Sequence, residues 1–146
     1  MTQQEKDILI KDLSARLLYG VKVNNEIQGD FTLIGLTKER IFTTCEIEGG
    51  HNDFPIELIK PYLFPMSSMT EEEISDLQKI NSQFCFDTFD NFAYVGAADD
   101  GFCSVEEMSN ILNYLNSHHF DYHGLIEKGL AIKVIEENNP YNITEK

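Results

Sequence analysis

The chain has 146 residues, is 42% hydrophobic with ten Phe and no Trp, and carries a formal net charge of −14. A field of that sign repels phosphate backbones and anionic lipid, which argues against nucleic-acid and membrane ligands and favours basic proteins or cations. The length and apolar content suit one compact domain, or a small domain with a helical addition, needing no disulfide staples.

In chain order, Thr2 and Glu5 have the spacing of a capping box, and Leu9, Leu13 and Leu17 fall on one helical stripe with Ile10 beside it. Gly20 follows as a left-handed helix stop. From Val21 to Phe54 the pattern becomes β-branched and aromatic, in Tyr19–Asn24, Phe31–Leu36 and Arg40–Ile47, with turn signals at 24–25, 28–30, 37–39 and 48–50. Short strands so spaced predict an antiparallel meander or half-open barrel, with Phe54 in a fourth strand. Pro55, Pro61 and Pro65 then bound a segment long enough for one helical turn at 56–60, with Ile56, Ile59 and Leu63 laid across the mouth of the sheet.

Thr70 with Glu73 is a second capping box, and Ile74, Leu77 and Ile80 continue a helix to about Gln83. Ser104 with Glu107 is a third; its helix is expected to turn Val105, Met108, Ile111, Leu112 and Leu115 inward. Asp121 would cap a short helix ending at Gly129, and Leu130, Ile132 and Val134 alternate as in a last strand. Between these, residues 84–102 interleave Phe84, Phe86, Phe89, Phe92, Tyr94 and Phe102 with acids, and their spacing fits a helix and a strand equally. The expectation is therefore an α+β fold: residues 1–66 a helix plus small sheet, 67–137 helices packed on it, 138–146 a flexible tail, all within one compact domain or two parts.

The charge is uneven. Residues 1–69 hold ten acids and seven bases, residues 70–146 fifteen acids and four bases. Glu71 to Glu73, Glu106 and Glu107 have local roles at helix N-termini, where negative charge is favoured. Asp87, Asp90, Asp99 and Asp100 have no such role, and among aromatics they are the expected interaction surface. Basic residues make only a thin footprint, Lys22, Lys38, Arg40 and Lys60, on the β part.

The only dense ligand-type cluster is His118, His119, Asp121 and His123. His119, Asp121 and His123 could share one side of an extended segment and would suit zinc, but no fourth ligand pair supports a closed site, and histidines at a helix end commonly serve structure. Asp100, Gly101 and Glu107 mimic the end of a calcium loop whose first ligands would be Gly96 and Ala98, which carry no carboxylate. Cys45, Cys85 and Cys103 form no CxxC pair, no GxSxG or HExxH motif occurs, and no Gly-rich phosphate loop is present. No cofactor is called for and a non-catalytic protein is expected. With no signal-peptide pattern and no long apolar run, a cytoplasmic chain with reduced thiols is the natural expectation.

Three stretches, DLSARLLYGVKV at 12–23, IKPYLFPMSSMTEEE at 59–73 and HFDYHGLIEKGLAI at 119–132, together resemble a family of small uncharacterised proteins of phages, prophages and mobile elements in gut anaerobic bacteria. The resemblance implies a mobile-element accessory protein and transfers no site residue. Three functions follow as expectations. The first is a protein that binds a protein partner through an acidic surface. The second is an acidic nucleic-acid mimic that inhibits a host DNA-binding or defence protein. The third is a metal-dependent hydrolase built on His119, Asp121 and His123.

Overall fold

Helix α1 (Gln3–Arg16) begins in the expected box: Thr2 Oγ1 accepts from the Glu5 amide, and the Glu5 carboxylate accepts from the Thr2 amide. A 3-10 turn, Leu17–Tyr19, carries it to Gly20, whose φ of 69° admits no strain-free substitute with a Cβ. The computed structural model describes residues 1–45, 47, 49–87, 92–95 and 103–141, with backbone only for 87 and 92–95.

Strands β1 (Lys22–Asn25), β2 (Gly29–Leu36), β3 (Arg40–Thr44) and β4 (His51–Pro55) form the antiparallel meander. Asn25 closes the first turn by accepting from the amides of Ile27 and Gln28. Cys45 lies just past the end of β3, half-buried, rather than in mid-strand. The helical turn expected after Pro55 is a 3-10 turn at Ile56–Leu58.

The next segment departs from expectation. Lys60–Pro65 is a strand, β5, with Pro at its second and last positions. It pairs antiparallel with β1 through Lys60 and Pro61, then parallel with β8 (Phe120–Asp121) and β9 (Ile132–Lys133). The sheet order is β4-β3-β2-β1-β5-β8, with β9 also on β5, so the sheet is mixed rather than antiparallel. Parallel partners require a long crossover. Here it contains α2 (Glu71–Ile80), a separate hairpin of β6 (Phe84–Asp87) and β7 (Phe92–Val95), and α3 (Val105–Ser117). The ambiguous aromatic segment is thus strand in its two described stretches, 84–87 and 92–95.

Both later capping boxes are formed. The face of α3 differs from expectation: Ile111 and Leu115 are buried, whereas Val105 is 89% exposed and Met108 is also exposed. Glu107 accepts from Asn81 and Tyr114 donates to Asp76, so the row 107–111–114 faces α2 and turns Val105 outward. These contacts also make α2 and α3 antiparallel. The segment after Asp121 is a turn, not a helix, and ends at Gly129 with φ of 75°.

Two cores result. The first joins Leu9 and Leu13 to Val21, Val23, Leu33, Ile41 and Leu63, and Leu125, Leu130 and Ala131 return to it from far along the chain. The second gathers Met66, Met69, Leu77, Phe84, Ile111, Leu115 and Phe120. β5 stands between them, giving Leu63 to one and Phe64 to the other. The overall architecture is α+β.

Candidate functional site: a buried polar centre and an acidic helix pair

Where the cores meet, α1 presents two charges on its apolar face. Asp12 and Arg16 lie one turn apart on the stripe of Leu9 and Leu13, and both are fully buried. Arg16 Nε donates to Asp12 Oδ2 at 2.7 Å and Nη2 to Oδ1 at 3.0 Å. Nη2 also reaches the Phe120 carbonyl in β8 at 2.5 Å. Burial by itself would raise the Asp12 carboxyl, but the bonds from His123 and Arg16 outweigh it and hold it below the usual carboxylate range.

His123 completes the centre, its Nδ1 lying 2.8 Å from Asp12 Oδ1. A carboxylate can only accept, so Nδ1 carries the proton. The Tyr122 ring lies 5.3 Å from the guanidinium carbon and its hydroxyl donates to Asn116. Arg16 Nη1 and His119 Nδ1 are buried with no hydrogen-bond partner among the described residues.

The three residues of the expected metal cluster are used separately. Asp121 spends both oxygens on the backbone, accepting from Leu125 and Ile126 at 2.9 Å each. His123 turns to Asp12. His119, in the left-handed region at φ of 63°, stacks on Tyr141 with ring centroids 4.0 Å apart. Burial first, and then the Arg16 cation, pull the His119 pKa down to about 4. Among the described residues no group of three or more His, Cys, Asp or Glu side chains is placed to hold a metal. The reversal at His119 breaks the extended run on which the shared side depended.

Tyr141 also ties the sheet. Its hydroxyl accepts from the Lys22 amide at 2.9 Å and donates to the Tyr62 carbonyl at 2.7 Å, bridging β1 and β5. Phe64 packs on the same ring. Tyr62 itself is buried and donates to Asp30 at 2.8 Å; burial, then that carboxylate, push its pKa up to about 12.

The acids of α2 and α3 form the other candidate. Glu73 and Glu107 are occupied in their capping boxes, and Asp76 accepts from Tyr114 and pairs with Lys79. Glu71, Glu72 and Glu106 are exposed and have no pair among the described residues. Because the helices are antiparallel, Glu71 and Glu72 lie at one end of the pair and Glu106 at the other. Asp87 ends β6, while Asp90, Asp99 and Asp100 lie outside the described residues.

Sequence reading missed the Asp12–His123 bond, which spans 111 residues. The signal for its first half was present: Asp12 and Arg16 occupy core positions of the stripe at ion-pair spacing. No helix among the described residues is long and apolar enough to cross a membrane, and all three cysteines are free thiols. No protein-family model, curated protein or solved structure matches this chain.

Proposed function

We propose that this chain is a non-catalytic interaction protein that offers the acidic α2–α3 pair to a basic protein surface. The observation that carries the reading is the state of Glu71, Glu72 and Glu106: exposed, with no described partner, on helices whose one base, Lys79, pairs with Asp76. The buried centre supports the same reading, because Asp12, Arg16, Asp121 and His119 are engaged in holding the fold. The resemblance noted above gives a context, an accessory protein of a phage or mobile element acting in a bacterial cytoplasm. The nucleic-acid mimic would need one continuous row of carboxylates. The exposed, unpaired acids of α2 and α3 fall into two groups at opposite ends of the helix pair, which favours a protein partner.

The test is capture of a partner from bacterial lysate at low salt, with identification of what is bound. The expected partner has a basic surface, elutes as salt rises, and is lost with the Glu71→Gln/Glu72→Gln variant. Capture that resists both salt and charge removal, or none at all, would overturn the reading.

A further inference from the structure

The thin basic footprint of the sequence is regrouped by the fold. Between α1 and the β2–β3 turn lies an open cleft of about 890 Å³, walled by Lys6 and Lys11 on the helix, Lys38 in the turn and Arg40 at the start of β3. Four of the chain's eleven basic residues therefore face one concavity in a protein of net charge −14. Lys22 and Lys60 do not contribute; Lys22 instead donates to Thr32.

Both walls are fixed. The turn is held by Thr37, whose Oγ1 accepts from the amides of Glu39 and Arg40 and whose own amide donates to the Arg40 carbonyl. The helix is held by Leu9 and Leu13 in the first core. Lys6 and Arg40 are oriented by carboxylates outside the lining, Glu57 at 2.7 Å and Asp53 at 2.5 Å. Lys11 and Lys38 have no bond or ion pair among the described residues. Two acids share the lining, Asp7, which accepts from the Gln3 side-chain Nε2, and Glu39. The half-buried Ile10 supplies an apolar patch.

We propose that this cleft binds a small multivalent anion, a polyphosphate or polycarboxylate, whose charges meet Lys11 and Lys38 with Lys6 and Arg40 beside them. Range decides the size of the ligand. At physiological salt the screening length is about 8 Å, so a ligand confined to the cleft feels chiefly its lining and the carboxylates of Glu57 and Asp53 beside it, which leaves Lys11 and Lys38 as its main contacts. A long polyanion would extend beyond the cleft into the negative field and be repelled. The volume is that of a small-molecule site. The cleft shares no residue with the acidic pair, so this inference stands apart from the function proposed above.

The experiment is an amide chemical-shift titration of the whole chain with inorganic pyrophosphate and, separately, with citrate. The expected result is a saturable shift at Thr37, Lys38, Glu39 and the first turns of α1. The Lys11→Gln/Lys38→Gln variant should weaken binding about tenfold or more while leaving the spectrum elsewhere unchanged. Binding of both probes would show that charge count is read, and binding of one would identify the anion class. The absence of saturable shifts with either probe would overturn the proposal. So would equal weakening by the control Lys22→Gln/Lys60→Gln.

Discussion

Around the first core the decisive charges are inside. Asp12 and Arg16 are sealed from solvent, each carboxylate oxygen is bonded, and the pair reaches β8 and His123 from α1. Around the second core the described acids of α2 and α3 are all at least partly exposed, and the polar residues buried on these helices are the uncharged Asn81 and Asn116. The half of the chain with nearly balanced charge thus buries an ion pair, whereas the strongly acidic half buries Asp121 on backbone amides and keeps the described carboxylates of its helices at least partly in water. Net charge counts the residues; only burial and pairing decide whether a carboxylate pins the fold or projects a field.

The largest test of this contrast removes one partner inside. Arg16→Met should leave Asp12 buried without its counter-charge and cost about 3–5 kcal/mol in urea unfolding. Removing both charges, Asp12→Leu with Arg16→Met, should recover much of that loss, since an apolar pair has no desolvation cost. A double variant as unstable as the single one would mean that the bonds to Phe120 and His123 matter more than the ion pair.

A second test uses protons. The ordinary His119 pKa of 6.5 falls to about 4 in the folded chain, so between those values the unfolded chain takes up a proton that the folded one refuses. Stability should therefore fall as pH drops from about 6.5 to about 4, by on the order of 2 kcal/mol after discounting for partial exposure. Asp12, depressed below its ordinary 3.8, adds a loss of the same sign at still lower pH. Unfolding curves at pH 7, 5.5 and 4.5 measure the slope. His119→Asn, which tolerates the left-handed backbone, should flatten it above pH 4.

A smaller effect is expected at the seam of the sheet. Tyr141→Phe removes the hydroxyl shared by the Lys22 amide and the Tyr62 carbonyl and should cost about 1–2 kcal/mol. Faster hydrogen exchange at the Lys22 amide would locate the loss. The smallest effect belongs to the outer charges: Glu71→Gln with Glu72→Gln should change stability by less than about 0.5 kcal/mol. A larger change would place those carboxylates in the fold rather than in the field.

The local rules were legible in the sequence because they depend on neighbours. All three capping boxes stand where Thr2, Thr70 and Ser104 precede Glu by three residues, and the first four strands follow the β-branched runs. β5 was hidden by Pro61 and Pro65, which read as breakers. It is a strand because Tyr62, Leu63 and Phe64 find partners on several segments: Tyr141, Val134 and His119. The candidate metal cluster misled for a related reason. Spacing placed His119, Asp121 and His123 together, but each is oriented by a partner remote from that pattern or by the backbone turn after it. The expected inward face of α3 failed at Val105 because the row 107–111–114, with Ile111 in the second core, faces α2 and leaves Val105 outside.

The Tyr141 bridge also has a consequence in time. Lys22 and Tyr62 emerge during synthesis long before the residue whose hydroxyl joins them, and the same holds for Arg16 with Phe120 and Asp12 with His123. α1 and the meander can form early from local contacts, yet the Asp12–Arg16 pair lacks its bonds to Phe120 and His123 until residues 120–141 arrive. A chain cut short before that point would keep its secondary structure signals and lack the clasp that makes them one body.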